Sequence, residues 1–249
     1  MMKKNISANE EVLWENLSWP EIPGILQKVN GFVMLPIGAT EQHGPHLPLG
    51  VDSMTALDIA CAVSSRTGIP VLPELKYGCS YGHSAKWPGT ISFSPNTLIS
   101  AVGDIILWLR FSGVNRLVII NGHVGNSAPL KCALENLRLS DAEFRVRILS
   151  LWDISPEIND FYHADAQDFH ANCAETSLML SLHPERVKMM NATDEEDRTE
   201  KCFFTYSMDK QSDSGVVGKP SMASKEEGDK YFELAVEVLT KKLFNAMNE

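Results

Sequence analysis

The chain has 249 residues, 44% of them hydrophobic, enough to bury a full core, and residues 1–249 are read as a single domain. A formal net charge of −10 and a pI near 5.2 argue against a surface that neutralises phosphates or anionic lipid, so neither nucleic acid nor a membrane is expected as a partner. No stretch approaches the roughly 18 apolar residues of a membrane span, and the start Met1-Met2-Lys3-Lys4-Asn5 leads into polar residues instead of the apolar run of a signal peptide. The five cysteines, Cys61, Cys79, Cys132, Cys173 and Cys202, are scattered without a C-x-x-C pair and read as reduced thiols of a cytoplasmic protein.

Apolar runs alternate with helical patterns along the chain, which predicts an α/β fold with a mainly parallel sheet. Residues 31–37 form the first strong strand, and residues 52–66 carry small and apolar side chains at helical spacing, stopped by Gly68. Residues 69–73 are a short strand or extended segment, and 76–94 a long aperiodic loop of the kind that usually serves function. A helix follows over 95–112, with Leu98, Val102, Ile105, Ile106 and Leu109 on one face. The β-branched run 116–120 predicts a central strand buried on both faces. Residues 128–140 read as helix, 145–151 as strand, 175–182 and 228–247 as helices, and the polar stretch 191–225 as an irregular excursion that could serve contacts between copies.

Three polar clusters interrupt these patterns. Gly38-Ala39-Thr40-Glu41-Gln42-His43-Gly44-Pro45-His46, with Asp52 beyond it, follows the first strand; Asn121-Gly122-His123-Val124-Gly125-Asn126 follows the central one. Ligands in open α/β sheets bind outside the carboxyl ends of the strands, so Glu41, His43 and His123 are placed on one edge. Carboxylate oxygen and imidazole nitrogen together are ligands for a divalent ion. Singly, each of these residues reads equally well as a solvated loop residue; core packing, however, requires no Glu-x-His after one strand and Gly-His after the next. In the third cluster, His170 and Glu175 lead into an apolar helix, where Thr176 and Ser177 could be caps and Glu175 a first-turn acid favoured by the helix dipole. Among the aromatic and histidine side chains, Tyr81, Trp87 and Trp152 are candidate substrate contacts, whereas His83 and His163 read as solvent-exposed.

The run 38–49 with Asp52, then Trp87-Pro88-Gly89-Thr90, Asn121-Gly122-His123-Val124-Gly125-Asn126, His170-Ala171 with Glu175-Thr176-Ser177, and Gly215-Val216-Val217-Gly218-Lys219-Pro220 resembles, in order, the creatininase (creatinine amidohydrolase) family. The resemblance implies a three-layer αβα sandwich, one or two divalent ions (Zn, Mn or Fe, two per chain in the fuller reading), hydrolysis of a cyclic or linear amide, and compact homo-oligomers, hexamers in family members. Carried over by residue, Glu41, His43, Asp52 and His123 match metal ligands, with Asp52 in the bridging place, and His170 matches a histidine credited with proton transfer. Two departures stand out: creatinine-hydrolysing members have glutamate where this chain has Gly125, for which Glu175 is the natural substitute and His46 a weaker one, and a tryptophan of their aromatic box is Ala166 here, although Trp152 matches another. The expected mechanism has a metal-activated water attacking the carbonyl and His170 serving as general acid; deformylase and peptide-trimming activities, or a degenerate small-molecule binder, are the alternatives.

Overall fold

The two strongest apolar runs become adjacent parallel strands in the computed structural model, which describes residues 10–83, 86–140 and 143–249. β1 (Phe32–Ile37), β2 (Arg116–Asn121) and β3 (Arg145–Ser150) lie side by side in that order, with Ile37 opposite Asn121 and Asn121 opposite Ser150. Side chains alternate across the sheet. Phe32, Met34, Val118 and Ile120 enter one core, and Val33, Leu35, Ile37, Leu117 and Ile119 enter the other. Each fully buried aliphatic side chain of this kind contributes about 1.5–3 kcal/mol relative to exposure. β3 is the edge strand and carries Arg145 outward, in keeping with the charged residues that blunt free sheet edges.

The first core is closed by α2 (Val51–Thr67), α5 (Pro156–Tyr162), α6 (Cys173–Leu182) and α8 (Lys225–Ala246); the second by α1 (Ile22–Lys28), α3 (Pro95–Phe111) and α4 (Ser127–Ser140). The result is the expected three-layer αβα arrangement. The short helices α1 and α5 were not anticipated, because seven residues are too few to display a helical period. Residues 69–75 run along the free side of β1: Met34 N donates to Pro70 O, and Leu72 N to Met34 O. Pro36 has no N–H to continue this ladder, and the next donor, Leu75 N, lies three positions after Leu72 instead of two and reaches Pro36 O at 3.0 Å. The proline in an otherwise central strand therefore faces a bulge, where its missing donor costs nothing.

This arrangement creates a switch point. From β1 the chain leaves through α2 on one face toward 69–75, whereas from β2 it leaves through α4 on the opposite face toward β3. Adjacent strands whose connections part to opposite faces leave a crevice between their carboxyl ends, the place where open α/β sheets bind ligands. Among the described residues, no helix is long and apolar enough to cross a membrane.

Candidate active site

The crevice is filled by charge. Glu41 and His43 come from the loop after β1, and His123 from the turn after β2. Asp52 belongs to the first turn of α2, and the start of that helix is pressed against the strand ends. The contact depends on Gly122, where a Cβ would fall 2.3 Å from the Asp52 carbonyl oxygen. Asn126 ties the surrounding loops together, giving its Nδ2 proton to Gly38 O at 2.9 Å and accepting from Cys79 N at 2.9 Å.

Asp52 stands at the centre. Its Oδ1 is 3.1 Å from His43 Nε2 and its Oδ2 is 3.2 Å from His123 Nδ1. Each imidazole is oriented from behind: His43 Nδ1 lies 3.1 Å from Glu41 O, and His123 Nε2 lies 3.0 Å from Cys79 O. A proton donated to each carbonyl leaves His43 Nε2 and His123 Nδ1 as the atoms turned toward the carboxylates, the arrangement by which ligand histidines are usually fixed. Glu41 Oε2 is 3.4 Å from His123 Nε2.

Glu175 has two tasks. The first turn of α6 is capped by Asn172, whose side chain accepts from Glu175 N at 3.2 Å, while Glu175 Oε2 accepts from Ala171 N at 2.6 Å. This is the reciprocal logic of a capping box. The caps expected at Thr176 and Ser177 are not used as such: Thr176 Oγ1 meets His46 Nε2 at 2.9 Å and Ser177 Oγ accepts from Ser224 N. The second carboxylate oxygen, Glu175 Oε1, turns to the site, 4.0 Å from His43 Nε2. Ala171 holds a left-handed backbone, φ 49°, next to His170, which is pinned by paired backbone hydrogen bonds to Val217. Such strain clusters at functional sites.

Burial and charge compete at His43, His123 and Asp52. Burial alone would lower His43 and His123, but the carboxylates around them (Asp52, Glu175 and Glu41 for His43; Glu41 and Asp52 for His123) prevail and raise them to about 10 and about 9. Burial would raise Asp52, yet the two imidazoles hold it well below the ordinary carboxylate range. Glu175 goes the other way, pushed up to about 7 by burial and by the charge of Asp52. Burial takes His170 well below its ordinary value and His46 to about 4. The protons that crowd onto His43 and His123 are those a cation would displace, since metal ligands must be deprotonated.

Could a metal fit? Glu41, Asp52 and His123 offer ligand atoms within 4.8 Å of one another, as do His43, Asp52 and Glu175, and Asp52 is common to both triads; Glu41, His43 and His170 form a third. Glu41 Oε2 and Asp52 Oδ2 are buried acceptors without a hydrogen-bond partner. Such orphans are costly and call for an explanation. A divalent ion with oxygen and nitrogen ligands satisfies both.

The triads open into a cavity of about 250 Å³ whose lining includes Glu41, His83, His123, His170, Phe169 and Tyr206. His83 is not solvent-exposed as expected: it is half-buried, with Nε2 3.8 Å from Glu41 Oε1. The segment 191–225 is less irregular than its composition suggests. It contains α7 (Met208–Gln211), which packs against the turn Tyr81–His83, so that Tyr206, Met208 and Gln211 wall the cavity. Tyr81, Trp87 and Trp152 do not line this cavity; Trp152 stands behind it, 6.5 Å from the Phe169 ring. His163 is half-buried against the same ring, and His46 lies outside all three triads. Gln42 is a further site residue, whose side chain touches His83 and Gly215; its signal in the sequence is a polar residue between two candidate ligands directly after a strand.

Gly125 has a steric explanation. A Cβ there would lie 2.1 Å from Cys79 O and 2.5 Å from His123 Nε2, so no glutamate can occupy the position in this loop conformation.

The family model described as Creatininase: Creatinine amidohydrolase matches residues 15–243. A creatinine amidohydrolase of Pseudomonas putida is 31% identical over 253 residues, covering 95% of this chain and 95% of that protein. A mycofactocin precursor peptide peptidase of Mycolicibacterium smegmatis is 31% identical over 218 residues, covering 80% and 79%. The solved structure of a mutant creatininase of Zn-Zn type superposes with a TM-score of 0.84 at 30% identity, covering 97% of this chain and all of that one.

Proposed function

The chain belongs to the creatininase family and is a metal-dependent hydrolase of C–N amide bonds, and from that premise we propose that it cleaves a small cyclic or linear amide at the cluster centred on Asp52, with two divalent ions bound. Glu41, Asp52 and His123 would hold one ion and His43, Asp52 and Glu175 the other. Zinc, manganese and iron all suit this mixed donor set. When bound, such ions supply a water that ionises near neutral pH and a positive field for the developing oxyanion.

The chain's own residues handle the proton. His170 Nε2 is 2.7 Å from Gln42 O and donates to it, which leaves Nδ1, 3.7 Å from Glu41 Oε1, as an acceptor at the cavity. His170 Nδ1 takes the proton of the attacking water and returns it to the leaving nitrogen, so the C–N bond breaks with departure of a neutral amine. This sharpens the expected role of His170: it is a base before it is an acid.

The observation that carries this reading is the pair of triads sharing Asp52, with an orphaned oxygen on Asp52 and another on Glu41. The cavity volume limits the substrate to a small group or a chain end, and no Lys or Arg is among its described lining residues, which favours a neutral or cationic amide. The closed position at Gly125 favours a second reading within the same chemistry, a formamide or a peptide terminus as substrate, because it removes a carboxylate that creatinine-hydrolysing relatives possess. The test is metal analysis of protein purified without chelator, followed by turnover of creatinine, a formamide and a short peptide before and after EDTA. Two ions per chain with EDTA-sensitive cleavage of one of these is expected; a protein holding no metal would sink the proposal, and metal without turnover would favour the binder.

A further inference from the structure

Among the described residues, His83 is a cavity imidazole that no metal-capable triad includes. The hydrogen-bond inventory of Gln42 locates its proton. Gly44 N donates to Gln42 Oε1 at 2.9 Å, which orients the amide and makes Nε2 the donor side. That nitrogen has two protons and three neighbours: Gly215 O at 3.2 Å, His83 Nδ1 at 3.2 Å and His170 Nε2 at 3.0 Å. A carbonyl only accepts, so His170 Nε2, 2.7 Å from Gln42 O, must carry its own proton. The two amide protons then go to Gly215 O and His83 Nδ1. His83 is left as the Nε2–H tautomer.

That N–H meets no hydrogen-bond acceptor among the described residues. Nε2 is 3.8 Å from Glu41 Oε1, longer than a hydrogen bond, and no other acceptor is within reach among the described residues. Its ring centroid is 4.4 Å from that of His170, so the cavity wall presents a lone pair at His170 Nδ1 beside a proton at His83 Nε2.

We propose that His83 is a catalytic residue that donates its Nε2–H to the substrate's carbonyl oxygen as it becomes an oxyanion, with Gln42 the positioning residue that fixes the donor tautomer. This rests on the hydrolase reading above. His83 transfers no proton. The C=O π pair moves onto oxygen as water adds to the carbonyl carbon, the hydrogen bond strengthens with that charge, and it relaxes when the pair returns and the C–N bond breaks. A donor aimed at the place where charge develops is the arrangement that lowers such barriers most.

The test uses zinc-loaded full-length protein with ¹⁵N-labelled histidine and acetohydroxamate, a probe that places an anionic oxygen at the metals. His83 is expected to show the Nε2–H tautomer, with its Nε2–H resonance moving downfield when the probe binds. His83→Ala should keep its zinc yet bind acetohydroxamate about tenfold more weakly, and His83→Asn, which retains an N–H, should recover part of the loss. On any amide the wild type hydrolyses, His83→Ala should lower kcat by about 10²–10³ with little change in KM. Unchanged probe affinity in His83→Ala overturns the proposal, and so does loss of zinc, which would make His83 a ligand. Wild type that binds neither zinc nor acetohydroxamate overturns the hydrolase reading itself, and this proposal with it.

Discussion

Two carboxylate nests in this protein make opposite use of the same functional group. Glu195, in the segment that walls the cavity, accepts at Oε1 from Asp213 N and Arg198 Nη2, both at 2.7 Å, and at Oε2 from Ser212 Oγ, Ser214 N and Ser214 Oγ at 2.6–2.9 Å. Those donors outweigh the cost of burial and lower it to about 2. The result is a closed structure: the carboxylate knots the 212–215 turn and thereby sets Gly215 O against Gln42. The Asp52 nest is more deeply buried and left unfinished, with one oxygen of Asp52 and one of Glu41 unpartnered. A carboxylate whose lone pairs are all answered by N–H and O–H groups is holding the fold. One whose lone pairs face each other across imidazoles awaits a cation.

The largest effect that would break this comparison is at Asp52. Asp52→Asn keeps the volume and removes the charge shared by both triads, so it should empty both metal positions, not one. Losing the several kcal/mol that bound metal supplies to the transition state lowers kcat/KM by about a thousandfold or more. Zinc content and turnover on the same sample check it. Retention of one full ion would show that Asp52 serves a single position and that the two triads are independent.

How much of this difference can be read from the sequence depends on range. β1 and β2 are legible because buried parallel strands are nearly uninterrupted apolar runs, and Glu41, His43 and His123 are legible because they stand where those runs stop. Asp52 and Glu175 are legible as candidates, but their geometry is not: the first depends on a helix start meeting a glycine from another strand, the second on a cap formed by Asn172. His83 was read as exposed because its burial is supplied by α7, about 125 residues further along in a segment whose composition suggests no fixed structure. Gln42 is not legible as a site residue because its partners, Gly215 and His83, are distant in sequence.

A smaller effect is expected at Gly125. With Cys79 O and His123 Nε2 in the space a side chain would need, Gly125→Ala should destabilise the protein by about 1–3 kcal/mol, the usual cost of overpacking. Thermal melting of the metal-loaded protein measures it. Gly125→Glu, which restores the residue of the creatinine-hydrolysing relatives, should lower metal content and activity instead of raising them. A gain in either would mean that the loop reshapes readily and that Glu175 is not the carboxylate completing the second triad.

The smallest effect separates the nests by the sign of their pH dependence in metal-free protein. Glu195 falls from an ordinary 4.5 to about 2 on folding, so between those values the unfolded chain binds more protons. Its contribution is present above pH 4.5 and is lost as pH falls toward 2. Glu175 rises from 4.5 to about 7, so there the folded chain binds more protons and stability declines as pH rises from 4.5 to 7. Urea unfolding of EDTA-treated wild type, Glu195→Gln and Glu175→Gln across pH 3 to 8 compares the slopes. Glu195→Gln should be less stable than wild type above pH 4.5, converge with it as pH falls toward 2, and leave the slope of the neutral range unchanged; Glu175→Gln should be more stable than wild type at pH 7 and converge with it near pH 4.5. Zinc should abolish that advantage, because an ion beside Glu175 favours its charged form. If Glu175→Gln were instead less stable at pH 7 without metal, the carboxylate would be serving the α6 cap through Ala171 N alone, and the distinction between a finished and an unfinished nest would fail at that residue.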